Sequence, residues 1–279
     1  MPRVEAIALA VEAAVAEAAV TLRPDVLSAM RAALGKESSE RGRAVLGQLL
    51  ENAQIASRDA VPLCQDTGTV WVWVELGAQE CLPSDLHAAI DAAVARAYRE
   101  NALRMSVVRD ALFDRTNTGD NTPAFVDITL RPGSGATVHV MLKGGGSDNA
   151  SLVAMLDPSA GEDGVVETVV RAVEAKASGA CPPLVIGVGV GGTFDSVAKL
   201  AKKALLIPLD ERTPEKRRRA LEDRLLTAVN ATGIGPAGLG GLTTALGVRV
   251  VSAPCHIAAL PVAVNLGCSA LRTVTVEVG

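Results

Sequence analysis

Three cysteines in this 279-residue sequence stand far from one another, each in a short stretch of turn-forming or polar residues. They are Cys64 in Pro62-Leu63-Cys64-Gln65-Asp66-Thr67-Gly68, Cys181 in Ala180-Cys181-Pro182-Pro183, and Cys268 in Asn265-Leu266-Gly267-Cys268-Ser269. A lone cysteine is ordinarily a small buried hydrophobe. Three at chain bends, each beside polar residues suited to a site, read instead as thiolates that meet at one metal centre. An iron–sulfur cluster held by only three thiolates leaves one iron open to a substrate, which points to catalysis rather than electron transfer.

Other stretches carry groups such a site could use. Gln65 and Asp66 put an amide and a carboxylate beside the Cys64 sulfur, although a plain turn also favours an aspartate that bonds local amides. Lys143-Gly144-Gly145-Gly146-Ser147-Asp148-Asn149 ends a strand, and its glycines let backbone amides approach an anion while Lys143 adds charge. It lacks the Gly-Lys-Ser/Thr element of a P-loop; the plainer reading is a hairpin tip. Asn117-Thr118-Gly119-Asp120-Asn121-Thr122-Pro123 is a dense polar loop of the kind that organises sites. Arg104 lies upstream in Leu103-Arg104-Met105-Ser106, where a surface role is the ordinary one. His256, after Pro254-Cys255, is the histidine nearest a cysteine motif; His87 and His139 read as structural. Gly187-Val188-Gly189-Val190-Gly191-Gly192-Thr193 tempts a dinucleotide reading, but its spacing does not fit. Close packing of a strand on a helix explains it more simply.

The elements that position these groups follow from the rest of the chain. Hydrophobic residues make up 49% and aromatics only 2%, so the core must be built from small aliphatic side chains. The net charge of −4 and a basic run at Lys216-Arg217-Arg218-Arg219 that is answered by Glu222 and Asp223 give no field for nucleic acid. No apolar stretch reaches the roughly 18 residues of a membrane span, and the N-terminus does not resemble a secretory leader. Five cysteines, an odd number, argue against a disulfide framework. A cytoplasmic protein that binds neither nucleic acid nor membrane is expected.

Helices are predicted over Val4–Val20, from Pro24 with proline at the first turn, and from the Ser38-Ser39-Glu40 cap to Ser57. Thr69–Leu76 reads as a buried strand and Pro83-Ser84-Asp85 as the start of a helix to Asn101. Phe125–Leu130 and Ala136–Leu142, joined by Arg131-Pro132-Gly133-Ser134-Gly135, are expected to form an antiparallel pair. Helices follow over Gly164–Ala177, Ser196–Leu206 and from Thr213-Pro214-Glu215 to Thr232. Strands are predicted at Pro183–Val190, Val248–Val251, Ala259–Asn265 and Thr273–Val278. The expected fold is α+β, one unit over 1–279: a helical portion over about 1–60 packed on a mixed sheet with flanking helices over about 61–279, and cluster-binding loops at one edge.

Taken in order, Cys64-Gln65-Asp66-Thr67-Gly68, Leu103-Arg104-Met105-Ser106, the 117–123 loop, the Lys143–Asn149 run, the Cys181–Thr193 segment, Gly233-Ile234-Gly235-Pro236-Ala237-Gly238-Leu239-Gly240-Gly241 and the His256-to-Cys268 segment resemble the α subunit of iron–sulfur-dependent class I fumarate hydratase. The resemblance covers about residues 20–279. It implies a [4Fe–4S] cluster on Cys64, Cys181 and Cys268, too widely spaced for a ferredoxin-type run; Cys81 and Cys255 match no ligand position. It further implies that Asp66 and His256 belong to the catalytic set, that Gln65 and Arg104 bind substrate, and that the Gly144, Gly145 and Gly146 amides hold a substrate carboxylate or oxygen. Arg104 suits a carboxylate because its fork can grip both oxygens.

Reversible hydration of fumarate to L-malate is the implied reaction, completed by a β subunit in an α2β2 assembly. That last expectation rests on the family's single-chain forms, which carry a further C-terminal domain, whereas this sequence stops at Gly279. Dehydration of L-tartrate, mesaconate chemistry, or a non-catalytic iron–sulfur subunit with a sensing or structural role are the alternatives.

Overall fold

The computed structural model describes residues 4–81 and 85–279. In chain order its elements begin with helices α1 (Val4–Val20), α2 (Pro24–Lys36) and α3 (Glu40–Asp59), strand β1 (Thr69–Gly77), helix α4 (Leu86–Glu100), and strands β2 (Phe125–Arg131) and β3 (Ala136–Lys143). They continue with the short helix α5 (Gly145–Asp148), strand β4 (Leu152–Leu156), helix α6 (Gly161–Lys176), strand β5 (Leu184–Gly192) and helices α7 (Phe194–Ala204) and α8 (Lys216–Asn230). Strands β6 (Ala245–Cys255), β7 (Leu260–Gly267) and β8 (Arg272–Val278) complete the set. The α+β class is as expected, and α2 and α3 start where Pro24 and the Ser38-Ser39-Glu40 cap place them. The predicted start at Pro83-Ser84 lies outside the described residues. Among the described residues no helix is long and apolar enough to cross a membrane.

Instead of one sheet, the strands form two, and the chain divides into two compact units. The first unit takes residues 1–23, 53–145 and 272–279, the second 24–52 and 146–271.

In the first unit the strand order is β2-β1-β3-β8. Val70, Val72, Val74 and Leu76 of β1 point to one face, where with Val138, Val140 and Leu142 of β3 they meet Val11, Val15 and Ala18 of α1 and Ile90, Val94 and Tyr98 of α4. The opposite phase carries polar and aromatic residues that pair across strands: the Trp71 and Trp73 indoles donate to Asp127 and Thr129 at 3.0 and 2.8 Å, and His139 stacks on Trp73 at 4.6 Å. Period-two alternation is what a sheet covered on one side by its own helices requires.

The expected β2–β3 pair is not formed. β1 lies between them, parallel to β2 and antiparallel to β3. The most apolar strand takes the centre, so the Pro132–Gly135 link must arch over the end of β1 across roughly 9–10 Å, two strand spacings. Its backbone bonds back there, with the Gln79 amide donating to Gly133 O at 3.1 Å and the Gly77 amide to Gly135 O at 2.8 Å. A Cβ on Gly77 would sit 2.6 Å from the Gly133–Ser134 backbone, so glycine is required.

In the second unit the order is β4-β7-β5-β6, with β5 parallel to β6 and antiparallel to β7. Leu184, Ile186 and Val188 of β5 face a core shared with Val169 and Val173 of α6 and Leu225 and Val229 of α8. Gly187 and Gly189 face the other way, where an added Cβ would overlap the backbone oxygens of Ala201 and Val197 in α7. Helices thus cover both faces of this sheet. The glycines that tempt a dinucleotide reading admit α7 instead. β4 has no counterpart among the predicted strands: its five residues carry no alternation, and it is an edge strand.

Candidate active site

In the first unit the turn before β1 and the end of β3 build a cleft of about 300 Å³, lined by Asp66, Gly68, Thr69, Arg104, Met105, Ser106, Asn117, Lys143 and Gly145. Asp66 forms part of its wall. Its Oδ1 accepts from the Gly68 amide at 3.0 Å and its Oδ2 from the Gly145 amide at 2.8 Å. Two amides fix one carboxylate, charge-assisted bonds of the stronger kind. Thr67 Oγ1 donates to Arg104 O at 2.7 Å, tying the Arg104 segment to the same turn and leaving the Arg104 side chain exposed at the rim. Asn117 and Asn121 brace the wall: Asn117 Nδ2 donates to Met105 O at 2.9 Å, and Asn121 Oδ1 accepts from the Ser106 amide at 2.7 Å. The polar loop thus braces one wall of the cleft through hydrogen bonds.

One amide of the glycine run is engaged within the chain. Gly145 opens the helical turn α5 and its amide is taken by Asp66, so the carboxylate it binds belongs to the chain itself. A substrate carboxylate would have to displace that bond. The reason is proximity: β1 and β3 are neighbours, so the residues before one and after the other meet. Gly144 lies under both Asp66 Oδ2 and Arg272 Nη2, at 3.2 and 3.5 Å from where its Cβ would be.

In the second unit a set of loops gathers at the end of the sheet where β5 starts and β7 stops. Cys181 follows a single 3₁₀ turn in a left-handed conformation (φ 53°) and is exposed. Its carbonyl accepts from the Ser269 amide at 3.0 Å, which brings the Cys181 and Cys268 segments side by side. Pro182 O accepts from the Ala237 amide at 2.8 Å, so the Gly233–Gly241 run supports the same loop. Gly146 packs against Gly179 so closely that a Cβ would come within 2.7 Å of its carbonyl oxygen. Glu37, buried on the other side of the run, accepts from the Leu242 amide at 2.9 Å.

Cys64, half-buried with its sulfur 3.4 Å from Gln65 Oε1, belongs to the first unit, and half-buried Cys268 and exposed Cys181 to the second. None of the three is in a disulfide. Among the described residues no three His, Cys, Asp or Glu side chains stand close enough together to hold a metal ion. The donor chemistry fits an iron–sulfur cluster all the same: three thiols, each accessible, each on a loop.

The structure does not bring His256 to Cys268. The eight residues of β7 separate them, roughly 25 Å at the rise of an extended strand. His256 occupies the exposed link between β6 and β7, with Nδ1 accepting from the Ala258 amide at 3.1 Å. Nearness in sequence is misleading here because the intervening segment is fully extended.

Two buried residues behind the Asp66 turn are absent from the sequence-predicted site. Tyr98 donates to Thr67 O at 3.0 Å and Gly68 O at 2.9 Å, and burial pushes its hydroxyl up to about 12. Arg272 donates from Nη1 to Asp66 O at 2.8 Å. For Arg272 a signal was present: Val274, Val276 and Val278 set the apolar phase of β8, and a cation at 272 breaks it.

Residues 8–277 match the family model described as fumarate hydratase (Fumerase). A protein of Methanocaldococcus jannaschii named "Putative L(+)-tartrate dehydratase subunit alpha" is 40% identical over 263 residues, covering 92% of each chain. The L(+)-tartrate dehydratase subunit alpha of Escherichia coli (strain UTI89 / UPEC) is 35% identical over 259 residues, covering 91% of this chain and 84% of that one. The chain belongs to the fumarate hydratase (Fumerase) family of hydro-lyase alpha subunits, and it is an enzyme of the hydro-lyase class.

Proposed function

We propose that this chain is the alpha subunit of a hydro-lyase that interconverts a 2-hydroxydicarboxylate and its unsaturated partner, fumarate and L-malate in the first reading. The observation that carries it is the cleft around Asp66: an anchored carboxylate with Arg104 and Lys143 on the same wall suits a small dianion. Dehydration removes a proton from the carbon beside one carboxylate and breaks the C–O bond at its neighbour, with the hydroxyl leaving as water. Arg104 grips a substrate carboxylate, and Gln65 binds beside it. Asp66 serves proton transfer from within the cleft.

Cys64, Cys181 and Cys268 would hold a [4Fe–4S] cluster, whose open iron supplies Lewis acidity toward the leaving hydroxyl. His256 remains in the catalytic set on the condition that another copy of the chain or a partner presents it, because β7 keeps it away from Cys268 in its own. A β subunit completes the site in an α2β2 assembly; the names of the relatives, each a subunit alpha, support a partner. A reducing cytoplasm suits five cysteines without a disulfide.

L-tartrate is the second reading, favoured by the names of the relatives. Turnover of fumarate, L-tartrate and mesaconate by the anaerobically reconstituted αβ complex decides between them. Fumarate turnover well above the others is expected; tartrate turnover above fumarate overturns the first reading. With the cluster intact, Asp66→Asn is expected to reduce kcat by about 100-fold or more, whereas unchanged turnover would remove Asp66 from the mechanism. The alpha chain alone, cluster loaded, should show little activity.

A further inference from the structure

Among the described residues Arg272 is the largest fully buried side chain, 1% exposed, and its Nε has no hydrogen-bond partner there. It opens β8 opposite Leu142 of β3, in the phase of Val274, Val276 and Val278, on the face that α1 and α4 cover. A cation there is unfavourable unless compensated. An apolar residue would continue the strand's pattern and fill the same space.

What the arginine contacts explains its presence. Three consecutive carbonyls of the site turn are each held from beneath by a buried donor. Arg272 Nη1 reaches Asp66 O at 2.8 Å, Tyr98 bonds Thr67 O and Gly68 O, and Asn121 Nδ2 donates to Gly68 O at 3.1 Å. On the cleft side, the Asp66 carboxylate is clamped by the Gly68 and Gly145 amides. The guanidinium and the carboxylate approach Gly144 together: a Cβ there would lie 3.2 Å from Asp66 Oδ2 and 3.5 Å from Arg272 Nη2.

We propose that Arg272 is a positioning residue: from the covered side of the sheet it fixes the Asp66 carbonyl, so that the Asp66 carboxylate meets the Gly68 and Gly145 amides in one orientation. It touches no substrate. Its effect on turnover presupposes the hydro-lyase reading above; its effect on the turn does not.

Amide hydrogen exchange on the full chain tests the turn directly. In Arg272→Met, exchange at Gly68 and Gly145 is expected to rise by about tenfold or more, while the β3 and β8 ladder amides keep their protection. Thermal stability should hold or rise, because replacing a poorly compensated buried cation with an apolar side chain is commonly neutral or stabilising. In the αβ complex kcat should fall by about 100-fold, the scale of a reacting group misplaced by an ångström, with KM nearly unchanged. Arg272→Lys, which keeps a donor, should restore part of both effects, and Arg272→Gln serves where Met does not fold. Unchanged exchange at Gly68 and Gly145, or a general loss of protection with a lower Tm, overturns the proposal. An inactive wild-type complex would instead refute the reaction and leave the exchange result to decide the role of Arg272.

Discussion

The two units share a plan that their sequences do not show. In the first, β1 is followed by a helix and then by β2, which returns parallel beside it; the chain then crosses over β1 into β3. In the second, β5, its helices, β6 and β7 repeat that path. Only the fourth strand differs, supplied by β8 after β3 in one case and by β4 before β5 in the other. In each unit the candidate residues lie at the end of the sheet where the central strand begins and its antiparallel neighbour stops: Cys64 to Asp66 with Lys143 to Gly145, and Cys181 with Cys268.

What separates the units is how each sheet is covered. β1 alternates, with valines toward helices and Trp71, Trp73 and Glu75 away from them. β5 is apolar on one face and carries glycine at 187 and 189 on the other, where α7 takes the space that side chains would occupy. The same strand order is thus reached with a two-layer and a three-layer architecture. The layers, and not the order, dictate residue type.

The contrast can be broken most sharply at the face that carries these glycines. Gly189→Val forces a branched side chain into the backbone of α7 and is expected to lower stability by at least about 3 kcal/mol in chemical denaturation. An unaltered midpoint would mean that α7 does not depend on the glycines. Next in size, Val188→Ala in the doubly covered strand should lose about 2 kcal/mol, against less than about 1 kcal/mol for Val276→Ala in the edge strand β8. Equal losses would erase the distinction between the layers.

Tyr98 gives a comparable effect confined to alkaline pH. Its folded-state value of about 12 lies above the ordinary 10.0, so the folded state keeps a proton that the unfolded state releases. The stabilisation is whole below pH 10 and drains away between 10 and 12, by up to about 2–3 kcal/mol. Tyr98→Phe should lose that share of the pH dependence; a variant as alkali-sensitive as the wild type counts against it. The smallest change is expected on the polar face of the first sheet. His139→Ala gives up bonds to Thr275 and Glu75 at 2.9 and 3.2 Å, with a shift within about 1 kcal/mol at neutral pH.

Local chemistry made much of this legible in the sequence. The caps before α2 and α3, the β-branched runs of β1 and β5, and the residues of the Asp66 cleft can be read from short stretches, because short-range preferences decide them. Pairing could not. The Pro132-Gly133-Ser134-Gly135 stretch has the composition of a hairpin turn, yet the competition of β1 for the central position sends it across a strand. His256 and Cys268 look adjacent until the segment between them is seen to be a straight strand. Arg272 was visible only as a fault in an alternating pattern, and its meaning lay in a turn two hundred residues away.

The division of the chain carries a further consequence for its synthesis. The first unit is assembled from three stretches, the last of them β8, and Thr137 on β3 meets Glu277 of β8, 140 positions further along the chain. Every residue of 146–271 is therefore made before the strand that completes the first sheet. On the ribosome the second unit can close while the first still presents β3 as an open edge, a template for unwanted pairing. The vulnerable interval in the life of this protein falls late, and it belongs to the unit that was begun first.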